Sequence, residues 1–212
     1  MFILPYRCRP SPVTDICLRK ALDGKLGAMA SSEHAAHGLE GHVHDASCEV
    51  AHGTAAGPVE EKVVAAVFAT TVASYLLRYA ADAGYRAVLV EPDPERAKAV
   101  SADGFELAGG LDGIPAAVTD VVVTDHHRDE LGVQLRDALA VGARWVGIMG
   151  NPRIEGPHLA ALTELGVPES EIGKVHRPIG INIGSRTPPE IAIATIAGLI
   201  ADRNGKPGGF SF

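Results

Sequence analysis

Val63-Val64-Ala65-Ala66-Val67-Phe68-Ala69 is an unbroken apolar run that ends at Thr70-Thr71. A strand inside a parallel sheet is covered on both faces, so it reads as a continuous apolar run and not as alternation. The run predicts a central strand, turned at Thr70-Thr71 into a helix from about Val72 to Asp82 that stops at Gly84. The pattern then repeats. Arg86-Ala87-Val88-Leu89-Val90-Glu91 reads as a second strand, closed by Pro92-Asp93-Pro94 and followed by a helix from about Glu95 to Ala102. Phe105 to Ala108 is a weak third strand, Asp120 to Thr124 a clear one, Asp129 to Ala140 a helix, and Arg144 to Met149 another strand. Short helices follow at Leu159 to Leu165 and Glu169 to Val175. Alternation of this kind predicts an α/β protein with a doubly wound parallel sheet.

The chain ends on a well-marked helix. Thr187-Pro188-Pro189-Glu190 supplies an N-cap, a proline at the first helical position and a glutamate that reaches back to the cap, which is a capping box. Ile191, Ile193, Ile196, Leu199 and Ile200 then recur near a helical period until Asn204-Gly205. Residues 1–57 read differently, as a short irregular segment rich in histidine, with Gly53 to Pro58 as a linker into the domain over 58–212. Five of the nine histidines lie there, at His34, His37, His42, His44 and His52. Four of them, His34, His37, His42 and His44, with Cys48 form a candidate zinc or nickel set. The paired spacing of a zinc finger is missing, and a polar low-complexity tract accounts for the composition as well.

Composition excludes several classes of function. The 212 residues carry a net charge of −7 and no basic run, which argues against a nucleic-acid partner. No apolar stretch is long enough to cross a bilayer, and residues 1–8 lack the pattern of a secretory leader. Three cysteines, an odd number, argue against a disulfide framework, so a cytoplasmic protein is expected.

In a doubly wound sheet, ligands collect beyond the carboxyl ends of the strands, and four loops reach that edge. The first contains Thr70 and Thr71. It lacks the glycines with which a dinucleotide fold brings backbone close to a pyrophosphate, so ordinary NAD(P) binding is disfavoured there. Glu91 nevertheless stands where an acid for ribose hydroxyls belongs. The second loop is Thr124-Asp125-His126-His127, able to ligate metal, relay protons or hold a heteroatom. The third is Gly147-Ile148-Met149-Gly150-Asn151-Pro152-Arg153, whose arginine can clamp a phosphate by two parallel hydrogen bonds. The fourth runs from Gly180 through Asn182, Gly184 and Ser185 into the capped helix, whose positive end suits an anion. Ser185 has no local base and is not read as a nucleophile.

The residues Val121 to His127, Trp145 to Arg153, Leu165 to Pro168 and Arg177 to Ala192, with the ending Ala201 to Phe210, resemble the C-terminal domain of the XdhC/CoxI family, the xanthine dehydrogenase accessory proteins. The likeness covers roughly residues 60–210 and is densest from 120 onward. It implies a Rossmann-like domain and a maturation factor rather than a metabolic enzyme. Such a factor would bind the molybdenum cofactor, as molybdopterin or its dinucleotide form. It would let a cysteine desulfurase partner supply the terminal sulfido ligand, and it would deliver the cofactor to a molybdenum hydroxylase of the xanthine or carbon monoxide dehydrogenase type. A homodimer is implied as well. Two alternatives stay open: an NAD(P)-dependent oxidoreductase with a degenerate nucleotide loop, and a metal-handling protein using the histidine tract.

Overall fold

A computed structural model describes residues 60–100, 104–151 and 153–209, together with Val50. The candidate metal set His34, His37, His42, His44 and Cys48, and the linker into the domain, lie outside the described residues.

Five strands run parallel in one sheet: β1 (Val63–Val67), β2 (Arg86–Val90), β3 (Glu106–Ala108), β4 (Thr119–Val123) and β5 (Trp145–Ile148). Their spatial order is β3-β2-β1-β4-β5, so the run that decided the fold is the central strand. Every residue of β1 is buried, as the unbroken apolar run predicted. Val64 and Ala66 face one helical layer, made by α1 (Thr71–Asp82) and α6 (Pro188–Arg203). Val63, Ala65 and Val67 face the other, made by α3 (Leu131–Ala140), α4 (Pro157–Glu164) and α5 (Glu169–Ile172). Helix α2 (Pro94–Val100) connects β2 to β3. The parallel order with helices on both faces is Rossmann-like.

Helix periodicity explains the packing. On α1, Ala73, Leu76, Leu77 and Ala80 form one buried stripe at helical spacing, and Leu199 and Ile196 of α6 close the same core. Each large apolar side chain buried in this way contributes about 1.5–3 kcal/mol. Several element ends differ from the sequence reading by one to three residues, four of them for a visible reason. Strand β1 stops at Val67 because Phe68 takes a positive φ of 74°, while its N–H still donates to Val90 O at 2.8 Å. Helix α3 begins two residues late, since Leu131 N–H donates to Arg128 O in the turn before it. Pro157 starts α4 early, a position that suits proline at a helix start. Helix α5 ends at Ile172, where Lys174 and Val175 continue only as turns.

Beyond β5 the sheet gains one more residue. His176 N–H donates to Val146 O at 2.9 Å and His176 O accepts from Ile148 N–H at 3.0 Å, a single bridge where a sixth strand would run. Among the described residues no helix is long and apolar enough to cross a membrane.

Candidate functional site

The order of strands reverses between β1 and β4, so their carboxyl ends border the crevice in which folds of this type hold ligands. Thr70 and Thr124 sit at its floor. Thr70 caps α1 by accepting from Ala73 N–H at 3.0 Å, and its hydroxyl donates to Thr124 Oγ1 at 2.9 Å. Thr124 Oγ1 in turn lies 3.0 Å from both Val67 O and Phe68 O, so β4 is stitched to the end of β1 by one buried hydroxyl. Thr71 is exposed at the first turn of α1. That turn carries no acidic residue, so its positive end is not neutralised from within. Thr70, Thr71, Ser74, Tyr75 and Arg78 line an open concavity of about 390 Å³ there.

Glu91 is saturated. Its carboxylate accepts from Ala69 N–H at 2.8 Å and Asp93 N–H at 3.1 Å, and Arg128 grips both oxygens at 3.0 and 3.3 Å. The Glu91 side chain is 0% exposed and that of Arg128 7%. Arg128 also holds Glu130 and lies over the Phe68 ring, 4.6 Å from its centroid. Burial weakens the hold of Arg128 on its proton, but hydrogen bonds and charge from Glu130 and Glu91 outweigh that and keep it above its ordinary range. The acid at the ribose position is therefore engaged in joining the ends of β1 and β2 to the β4 loop.

The β4–β5 side is furnished differently. Asp125 accepts His127 N–H at 2.9 Å, a local turn that leaves His127 exposed and His126 half-buried. The two rings lie 4.0 Å apart. Burial first, and then His127, push the His126 imidazole below its ordinary range; a hydrogen bond with the Met149 backbone and the charge of Asp125 pull the other way. Asn151 Oδ1 accepts Arg153 N–H at 3.0 Å, and both side chains stand exposed. Gly150 is half-exposed, with Arg177 pressed against it: a Cβ there would come within 2.7 Å of Arg177 Nε. Gly147 lies inside β5, buried, and a Cβ there would collide with the Trp145 ring and Ile179. Its glycine is explained by packing.

The start of α6 supplies its own anion. Glu190 accepts Arg186 N–H at 2.8 Å and Thr187 N–H at 3.1 Å, completing the capping box. Those backbone bonds hold the Glu190 carboxyl below its ordinary range. A self-capped end has less to offer a ligand than α1 has. Gly180, at φ +82°, lies against α6, where a Cβ would stand 2.9 Å from the Ala194 carbonyl carbon, and Gly198 faces it at similar range. Asn182 and Gly184 are exposed and Ser185 half-exposed on the loop that follows.

The family described as the XdhC Rossmann domain matches residues 64–199, well over half of the chain and the span from β1 into α6. This chain belongs to the XdhC family. "Uncharacterized protein YqeB" of Escherichia coli (strain K12) is 33% identical over 99 residues, which is 47% of this chain and 18% of that protein. A crystal structure described as a xanthine dehydrogenase from Bacillus halodurans superposes with a TM-score of 0.55 at 20% identity, over 68% of this chain and 45% of that one. The second likeness speaks for the fold, and the chain spans less than half the length of either protein.

Within this XdhC domain the structure joins Thr70, Thr71, Thr124, Asp125, His126, His127 and Gly150 to one edge of the sheet, and sets Gly147 and Gly180 into packing contacts. Sequence reasoning passed over three residues of that edge. Arg128 carries the clamp on Glu91, while Arg177 and His158 approach each other behind Gly150 and Gly156. Their only sequence signal is position, just after a strand or at a helix start. Among the described residues no group of three or more His, Cys, Asp or Glu is placed to hold a metal ion.

Proposed function

We propose that this chain is an accessory factor of the xanthine dehydrogenase type, which holds the molybdenum cofactor in the crevice between β1 and β4. Membership of the XdhC family is the observation that carries the reading. The donors of the crevice suit the group. An unneutralised α1 start beside Thr70 and Thr71 offers N–H and hydroxyl donors to a phosphate. Asp125, His126, His127 and Asn151 offer mixed donors and acceptors to a heterocycle, and exposed Arg153 offers a second cation. The cofactor supplies redox chemistry at the client's molybdenum, so this chain is asked to bind and present rather than to catalyse. A cysteine desulfurase and a molybdenum hydroxylase are the partners proposed, with a homodimer as the assembly. Exposed Ile193 and Ile200 on α6 favour a further contact on that helix.

Saturated Glu91 weighs against NAD(P), because the acid that reads ribose hydroxyls in such folds is taken up by Arg128. Equilibrium binding tests the reading. Purified chain is expected to bind molybdopterin or its dinucleotide and to ignore NADPH. Tight NADPH binding without affinity for either pterin form would overturn it.

A further inference from the structure

Phe68 is the one non-glycine residue among the described residues with a positive φ, at 74°. A side chain in the left-handed region meets a steric cost that glycine escapes, and for a bulky residue the conformation is rare. Phe68 nevertheless stands where β1 ends and the crevice begins. Along β1 the side chains alternate: Val63, Ala65 and Val67 face one core, and Val64 and Ala66 the other. An extended residue 68 would follow Val64 and Ala66. The left-handed turn instead returns the Phe68 ring to the side of Val67 and leaves Ala69 on the side of Ala66.

Such a conformation persists only where its surroundings over-determine it. Phe68 is held from four directions. Its N–H donates to Val90 O of β2 at 2.8 Å. Its carbonyl lies 3.0 Å from Thr124 Oγ1, just past β4. The next N–H, that of Ala69, donates to buried Glu91 at 2.8 Å. The ring is fully buried, with Arg128 4.6 Å from its centroid, and Arg128 is fixed in turn by Glu91 and Glu130. Two residues further on, Thr70 caps α1 and joins Thr124. The direction in which α1 leaves the sheet is therefore set at Phe68.

We propose that Phe68 is a positioning residue for the crevice: its left-handed backbone aims the first-turn N–H groups of α1 and the Thr70–Thr124 hydroxyl pair at the ligand. The inference rests on the crevice being a cofactor site, and adds the residue that fixes its geometry. Ring and backbone have separate parts. The ring anchors the turn under Arg128, and the φ decides where the turn points.

The test uses NMR of the full chain, with molybdopterin as the probe of affinity. In the unmodified chain Phe68 is expected to show the short N–H to Hα distance of a left-handed residue. An extended pattern there overturns the proposal without any variant. Phe68→Gly, Phe68→Ala and Phe68→Val all lose the ring. From Gly through Ala to Val the tolerance of a positive φ falls, while the volume returned to the core rises. Protection of the Ala69 amide, relative to the β1 amides, and affinity for molybdopterin should both be kept best in Gly and worst in Val, about tenfold apart. The opposite order, or no order at all, shows that Phe68 only fills space and refutes the positioning role. If the unmodified chain binds no molybdopterin, the cofactor reading fails, and the order of Ala69 protection still decides the role of Phe68.

Discussion

Each end of the sheet buries one carboxylate under arginine, and the two ends use it differently. At the amino end, Asp120 at the start of β4 accepts from Arg144 and Arg203, and its side chain is 0% exposed. Arg203 adds a bond to Val118 O at 2.6 Å, and Arg144 reaches Asp202 at 2.7 Å. The cluster ties β4, the strand beside it and the last turn of α6 into one knot. At the carboxyl end, Glu91 and Arg128 make a similar knot that joins the ends of β1 and β2 to the loop after β4. The first turn of α1 carries no acid of its own, and Arg177 meets no carboxylate among the described residues. An end with its charges balanced internally serves stability. One with positive groups left over is equipped for a ligand.

Asp120→Ala should break the comparison most severely. It removes the buried carboxylate that Arg144 and Arg203 share, and breaking such a cluster costs about 3–5 kcal/mol. Thermal unfolding should shift down by roughly 10 °C for a domain of this size, with cofactor affinity of the folded fraction unchanged. An unaltered melt would mean that the amino-end knot contributes little. Glu91→Gln is the matching change at the other end. Losing the charge opposite Arg128 should cost about 2–3 kcal/mol, a smaller fall because the amide still accepts from Ala69 N–H. If folded Glu91→Gln protein instead loses cofactor binding out of proportion to its melt, Glu91 touches the ligand and the division between the two ends is wrong.

Thr124→Val tests the floor between them. It keeps shape but removes the hydroxyl that joins Thr70 to β1, at about 1 kcal/mol. Calorimetry should record a small drop in stability and a clear drop in cofactor affinity, because the cap of α1 loosens. The mildest effect concerns Glu190 and pH. Its carboxyl is held low by the Arg186 and Thr187 N–H groups, so its contribution is fully present above the ordinary glutamate range and fades as pH falls through the lowered value. Amide exchange at Arg186 and Thr187 should quicken in that acid window while β1 amides stay protected. Equal quickening in both places would show that α6 is not capped independently.

Much of the fold was legible in the sequence. The run Val63 to Ala69 marked a strand covered on both faces, and Thr187 to Glu190 marked the start of α6 to the residue, because both signals are local. The candidate site was legible in outline only. Thr70, Thr124 and the paired histidines announce themselves by standing at strand ends. The same logic offered Gly147 as a ligand contact, whereas the fold uses it to admit the Trp145 ring.

What the sequence determined by itself, then, is the parallel α/β order, the XdhC likeness and the edge of the sheet where polar residues gather. Burial, periodicity and capping act over a few residues, so they can be read along the chain. Tertiary structure alone decided which charges are already matched. Arg128 and Glu91 are 37 residues apart, and Arg203 and Asp120 83. A charge seeks its partner through space, and no local pattern says that Glu91 is occupied, that Glu190 fills the anion place at α6, or that Arg177 meets only carbonyl acceptors among the described residues.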